Sequence, residues 1–393
     1  MARLMPTDRD FDLILVGGGL ASSLIAWRLA IDRPEVRVCV VERDGTLGGN
    51  HTWSIFDSDI TPVDREWLTP AIGHRWPEGY DVYFPRRSRT LTTGYSSLTS
   101  ERLHASVAPL LGDRLIIGEA VVVDRQGVTL SDQRRLTAKG VIDARGPTAT
   151  RALDLGWQSF VGLTVRLAAP HGLTRPTIMD ATVEQFGAYR FVYLLPFDAR
   201  TVMVEDTYYT DSPVLDRPAL KRRIDDYIRS RGWTVEAVVA EEEGVLPIAM
   251  DGDIDAFWAD GPPVARAGLL AGLFHPVTGY SLPDAVLLAR RIADQDDLSS
   301  AALRRVTETC SKRVWRDRAF YRLLNRMLFR AADPGQRWRI FERFYGLSDG
   351  ILRRFYAGRS TRLDKLRILA GKPPVPLGRA LMQVHETGRG SRS

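Results

Sequence analysis

Hydrophobic positions change their period twice in the first forty residues. Leu13 to Val16 form an unbroken apolar run, as a strand buried on both faces requires. Leu20, Leu24, Ile25, Trp27 and Leu29 then recur as a helical stripe, and "VRVCVVERD" reads as strand again. The pattern predicts a βαβ unit. Further strands are expected at "RLIIG", "AVVVD", "GVTL" and "KGVIDARG", with turn residues between them. From about 158 to 244 the apolar runs lengthen. There "RFVYLLPF" and "RTVMVEDTYY", joined by Asp198-Ala199-Arg200, predict an antiparallel hairpin in a second domain. The chain then returns to the first domain through "GPPVARAGLLAGLFHPVTGYSLPDAVLLARRIAD". Beyond Ser299, Leu303, Val306, Cys310, Val314, Tyr321, Leu324 and Leu328 recur near helical spacing. "ADPGQ" at 332–336 breaks that helix, and another is expected to begin near Gln336.

Two adjacent acids interrupt the greasy strand "TVMVEDTYY". Buried carboxylates are costly unless paired or used. Alternation puts Thr201, Met203, Glu205 and Thr207 on one face and Val202, Val204, Asp206 and Tyr208 on the other. The two acids are therefore not expected to form a carboxylate dyad, and one should face a substrate; spacing leaves open which. A solvated strand end is the alternative.

Composition narrows the class. The chain has 393 residues, 44% hydrophobic and 26% charged, which suits two or three globular domains. Two distant cysteines, Cys39 and Cys310, and six scattered histidines have no ligand spacing, so neither a zinc site nor a disulfide scaffold is expected. "MARLMPTDRDFD" has no secretory apolar core, and no run reaches the roughly 18 apolar residues of a spanning helix. A reducing, cytoplasmic setting follows as the expectation. The net charge of +6 is uneven: from Arg304 onward 22 Lys or Arg face 7 Asp or Glu, a local +15, which leaves −9 on the first 303 residues. A basic C-terminal module points to an anionic partner or a solvated helical face. Trp338, Phe341, Phe344 and Tyr345, flanked by arginines, read either as a core-packing helix or as an interfacial helix on anionic lipid. Nucleic acid is disfavoured because no recognition motif accompanies the charge.

Gly17, Gly18 and Gly19 follow the first strand directly, and Gly17-x-Gly19-x-x-Ser22 differs from the dinucleotide fingerprint only by Ser for the third Gly. Glycines there let a pyrophosphate approach the helix N-terminus at Leu20 and Ala21, and Glu42, with Arg43 beside it, ends the next strand where a ribose would lie. "LGGNHTW", with Gly49, Asn50 and His51, follows closely and lets a second loop press on a cofactor, a flavin rather than a nicotinamide pattern. "GVIDARG", with Asp143 and Gly146, resembles the strand that closes an FAD-binding half.

Taken together and in order, "GGGLASSLIAWRL", "GGNHTWSIF", "VIDARG", "MVEDTYYTD", "GLFHPVTGYSLPDAV" and "FERFYGLSDGILRRFYAGRSTRLDKLRILAGKPPVP" resemble the bacterial lycopene β-cyclases over nearly the whole chain. "RAGLLAGLFHP" departs from that pattern by a few extra residues before His275. The resemblance implies an α/β fold with a glutathione-reductase-like FAD-binding domain, an antiparallel β-sheet substrate domain and a C-terminal helical segment. Segments 1–56, 98–156 and 262–303 would form the first, 57–97 and 157–261 the second, and 304–393 the basic membrane-associating part. It implies reduced FAD as the active cofactor, NAD(P)H as reductant, and closure of the ends of lycopene, through γ-carotene, to the β-ionone rings of β-carotene. Because that isomerisation transfers no net electrons, it needs a strong acid, a dry pocket and cation-stabilising walls. Among the site residues, the resemblance favours Glu205 as essential acid, with Asp206 bonding across the sheet or to a loop. It places Thr278, Gly279 and Tyr280 near the flavin ring, with His275 a further catalytic candidate and a packed structural histidine as its alternative reading. The rivals are a flavin oxidoreductase, disfavoured because no Gly-Asp-Ala segment precedes the helix near 284, and a flavin-carrying binding protein without turnover.

Overall fold

The computed structural model describes residues 9–370. The expectations for the N-terminal segment, for "GKPPVP" and for a disordered "GRGSRS" tail lie outside those residues or extend beyond them.

The continuous apolar runs become a parallel sheet. β1 (Phe11–Val16) is flanked by β2 (Val38–Glu42) and by β11 (Arg135–Asp143); β8 (Leu115–Ile117) extends one side and β17 (Ala265–Arg266) the other, all parallel. β9 (Ala120–Asp124) and β10 (Gly127–Leu130) add antiparallel to the first half of β11. Helices Leu20–Asp32 and Leu282–Ala293 pack together in the core that includes Leu13 and Leu15. Burial on both faces is why β1 and β2 carry no polar alternation.

A second, seven-stranded sheet has the order β16 (Val235–Gly252), β12 (Leu153–Leu167), β15 (Thr201–Thr210), β14 (Tyr189–Pro196), β13 (Thr177–Asp180), β5 (Tyr80–Phe84), β6 (Arg87–Leu91). It is antiparallel except where β5 meets β13. One face, with Val202 and Val204, is covered by helix Arg217–Ser230 through Leu220, Ile224, Tyr227 and Ile228. The other face, with Met203 and Tyr209, packs against C-terminal aromatic residues. The expected hairpin of β14 and β15 is present.

A third sheet was not anticipated. β3 (Thr52–Phe56), β7 (Tyr95–Thr99) and β4 (Ile72–Trp76) pair antiparallel in the order β3, β7, β4, joining the stretch after the glycine-rich loop to two later segments. "TWSIF" and "YSSLT" are short and half polar, so pairing rather than local pattern makes them strands.

The C-terminal region is helical but more divided than its periodicity predicts. Helices Ser300–Asp317 and Ala319–Arg326 lead into a wide turn at Met327–Ala331 before the break at "ADPGQ", and Trp338–Phe344, Asp349–Tyr356 and Arg362–Leu369 follow. The structure decides between the two readings of the aromatic stripe. Phe341 stacks on Tyr189 with ring centroids 4.2 Å apart, Phe344 packs on Phe355, and Tyr345 is wholly buried. Tyr345 and the packed faces of Phe341 and Phe344 thus follow the core-packing reading, while Trp338, Phe341 and Phe344 each keep a partly exposed side. Several of the excess arginines are internal as well. Arg318 forks onto Asp284, Arg337 donates to the Leu328 and Phe329 carbonyls, and Arg322 lies 3.9 Å over the Trp315 ring.

Candidate active site

The first turn of helix Leu20–Asp32 is prepared for an anion. Its N-cap, Gly19, offers no side chain to the free backbone N–H groups, and the turn contains no acid. A Cβ on Gly19 would meet nothing within 4 Å, and the same holds at Gly49 and Gly146. Gly17 sits at φ +88°, and a Cβ there would lie 3.0 Å from the Ala144 carbonyl, where β1 and β11 both end. Glu42 accepts the Gly18 N–H at 2.5 Å and the Asp44 N–H at 3.0 Å, and each oxygen keeps a lone pair for a hydroxyl. Arg43 points outward and pairs with Asp44. Asn50 reaches the Glu241 carbonyl at 3.2 Å, tying this loop to the second sheet. Open space, uncapped donors and a hydroxyl acceptor together fit a dinucleotide.

Beside that groove, β15 lays Glu205 along a partly open cavity. Its walls include His51, Trp53, Tyr95, Phe160, Tyr193 and Tyr280. Gly279 lines it too; at φ +70° its hydrogen leaves room for Leu246, which a Cβ would crowd to 3.1 Å. Thr278 lies on the far side of the same segment, facing a second, more apolar cavity walled by Met179, Leu324, Phe341, Phe344 and Leu347. The Tyr280 hydroxyl is 2.6 Å from that of Tyr193 and 3.1 Å from that of Tyr95. Burial holds these phenols above their ordinary range, so they remain neutral.

Glu205 is 7% exposed and has no cationic partner among the described residues. Burial pushes its carboxyl up to about 7, while the Thr207 hydroxyl, donating at 2.6 Å, opposes that rise. The structure adds an acid that the motif did not name. Glu242 on β16 is also buried and lines the same cavity; burial, then the nearby Glu205, push it up to about 8. In "AEEEGV" only alternation singles it out, since Glu241 and Glu243 point to the other face and bind Lys221 and Arg217.

Two of the proposed catalytic residues lie elsewhere. Asp206 is turned to the opposite face, where Arg190 of β14 grips both of its oxygens at 2.5 to 3.1 Å. The strand pleat removes it from the cavity, so direct catalysis is corrected to cross-strand pairing. His275 lines neither cavity; its Nδ1 accepts from Val277 N–H and its Nε2 donates to the Phe355 carbonyl. Burial, and then Arg318, push it down to about 3, leaving a neutral ring that clamps the turn before Tyr280. Its catalytic candidacy is likewise corrected.

The family model described as lycopene cyclase protein matches residues 12–382. The chain belongs to the lycopene cyclase family. Within that family it is 50% identical over 370 residues to a lycopene beta-cyclase of Pseudescherichia vulneris, covering 94% of this chain and 96% of the relative. It is 44% identical over 380 residues to that of Pantoea ananas, covering 96% and 99%. In fold the cyclase chain is similar to a geranylgeranyl bacteriochlorophyll reductase-like protein of Thermoplasma acidophilum (TM-score 0.59, 14% identity, covering 96% of this chain and 98% of that one). It is also similar to p-nitrophenol 4-monooxygenase of Pseudomonas putida (TM-score 0.59, 16% identity, covering 90% and 99%). The α/β class with an FAD-type nucleotide domain, an antiparallel sheet and a helical C-terminus is thus the observed fold of this cyclase-family chain.

Proposed function

We propose that the chain is a lycopene β-cyclase, an intramolecular lyase that closes the linear ends of lycopene, by way of γ-carotene, into the β-ionone rings of β-carotene. The observation that carries the reading is Glu205: a buried carboxyl, able to hold a proton near neutral pH, in an aromatic-walled cavity beside a dinucleotide groove. Gly17, Gly18, Gly19, Leu20 and Ala21 would hold a pyrophosphate, Glu42 a ribose, and Gly49, His51 and Gly279 would border the flavin ring. Reduced FAD, replenished from NAD(P)H, supplies negative charge beside the cavity when bound.

The protein's own residues do the rest. The carboxyl group adds its proton to the terminal alkene of the substrate, the neighbouring alkene attacks the tertiary cation, and a ring proton leaves. Trp53, Phe160 and the Tyr95, Tyr193 and Tyr280 rings wall the cavity with π systems that can stabilise the cation, and none of them carries a charge that would capture it. Leu195, Met203 and Leu246 help keep out water, which would. The second cavity suits the unreacted remainder of a long hydrocarbon.

No helix among the described residues is long and apolar enough to cross a membrane. Helix Arg362–Leu369 instead exposes Leu363, Leu366 and Leu369 beside Arg362 and Arg367, which supports peripheral attachment to an anionic lipid surface. Expression in lycopene-accumulating cells tests the whole reading. Red pigment is expected to turn orange-yellow, with β-carotene identified by chromatography; unchanged lycopene in the presence of flavin-loaded protein would overturn it.

A further inference from the structure

Glu205 and Glu242 stand on the two strands that flank β12, and both are register partners of the same residue, Gly162. With no side chain between them, their stems lean over that glycine from either side. A Cβ at position 162 would meet Glu242 Cγ at 3.2 Å and Glu205 Cβ and Cγ at 3.6 Å. The absent side chain is what brings the two acids into one space.

Nothing around them supplies a compensating positive charge. No Lys or Arg lines the cavity among the described residues, and burial lowers His51, so its ring is neutral at the pH where the acids would titrate. Tyr95, Tyr193 and Tyr280 face them as uncharged phenols. Thr207 bonds Glu205 and Thr52 bonds Glu242. Asp206 lies behind the sheet with its charge met by Arg190, while Glu241 and Glu243 face outward onto Lys221 and Arg217. Two buried carboxyls in such a place oppose each other's ionisation near neutral pH, and groups that interact this way titrate as a unit.

We propose that Glu205 and Glu242 form one acid–base pair that carries a single proton through each ring closure, a role that rests on the cyclase reading above. An O–H bond of the pair breaks as a C–H bond forms at the terminal alkene, leaving both carboxylates ionised against the new cation. The neighbouring alkene closes the carbon–carbon bond and moves the cation into the ring. A ring C–H bond then breaks, and its proton returns to the pair. One proton is lent and one recovered, so the pair is ready for the next end without an oxidant or reductant.

The infrared C=O stretch of buried carboxyls, followed in flavin-loaded protein from about pH 5 to about pH 9, tests this without relying on turnover. The wild-type protein is expected to show one shared proton lost on the alkaline side of neutrality. In Glu242→Gln the like charge is gone, so the remaining carboxyl should titrate about one pH unit or more lower. Ring formation should fall at least about tenfold, and its alkaline limb should move the same way. Glu242→Asp should restore part of both. Gly162→Ala, which wedges a methyl between the stems, should shift the titration in the same direction by less. These last two variants carry the same readouts if the Gln variant does not fold. An infrared titration unchanged by all three substitutions would overturn the pair, as would wild-type ring formation with an unmoved pH limb in Glu242→Gln. A shared titration in a wild-type protein that leaves lycopene untouched would instead overturn the cyclase reading and keep the pair.

Discussion

The two faces of β15 treat neighbouring acids in opposite ways. Asp206, fully buried, meets a guanidinium that forks onto both of its oxygens, and its far side is packed by Val204, Val192 and the helix Arg217–Ser230. Burial drives that carboxyl upward and Arg190 opposes the drive. Glu205, one residue away and nearly as buried, meets hydroxyls, aromatic rings and another acid, with no cation to oppose the same drive. The difference teaches that burial alone does not make a catalytic acid. On the Glu205 side the missing counter-charge leaves the neutral, proton-bearing form favoured near neutral pH, which is what the proposed acid role requires.

Breaking the paired side should have the largest effect on folding. Arg190→Ala leaves Asp206 buried and uncompensated, and a loss of roughly 3 to 5 kcal/mol is expected, read as a fall of several degrees or more in the melting temperature of the flavin-loaded protein. Adding Asp206→Asn should recover part of it; a wild-type melting temperature in Arg190→Ala would show that the pair does not support the sheet.

The unpaired side should respond in rate instead. Glu205→Gln is expected to retain flavin and melt no lower than wild type, while cyclisation falls roughly 10²- to 10⁴-fold. Near-normal turnover would remove Glu205 from the acid role.

The mildest lever is pH. Burial pushes the two carboxyls of the cavity face up to about 7 and about 8 when folded, above the roughly 4.3 of an unfolded glutamate. Raised carboxyls favour the folded state at low pH, and that contribution is lost as pH climbs from about 4.3 through 7 to 8. The rate should fall in the same alkaline direction, about tenfold per unit once the pair has lost its proton. A cyclisation rate flat to about pH 9.5 would contradict a carboxyl donor on this face.

Much of this was legible in the residues. Unbroken apolar runs mark the parallel strands, the glycines after β1 mark the turn into its helix, and period-two alternation separates Glu205 from Asp206 without any tertiary contact. His275 was not legible, since a lone histidine in a turn carries no sign of whether its nitrogens face a cavity or, as here, the backbone at Val277 and Phe355. The aromatic stripe at 338–345 was equally silent, because one apolar face serves a lipid surface or a sheet alike, and only Tyr189 and Phe355 across from it decide.

What the sequence determined by itself is therefore local and periodic: strand and helix type, the glycine turn between β1 and its helix, and the fact that one acid of "VEDTYY" must part from the other. These follow from bond geometry and side-chain alternation, which need no partner. The tertiary structure alone decided which face holds Arg190 and which, among the described residues, has no Lys or Arg lining it. It also brought Glu242, 37 residues beyond Glu205, across Gly162 into the same space. Strand order and register set those neighbours, and a carboxyl's proton affinity is a property of its neighbours rather than of its place in the chain.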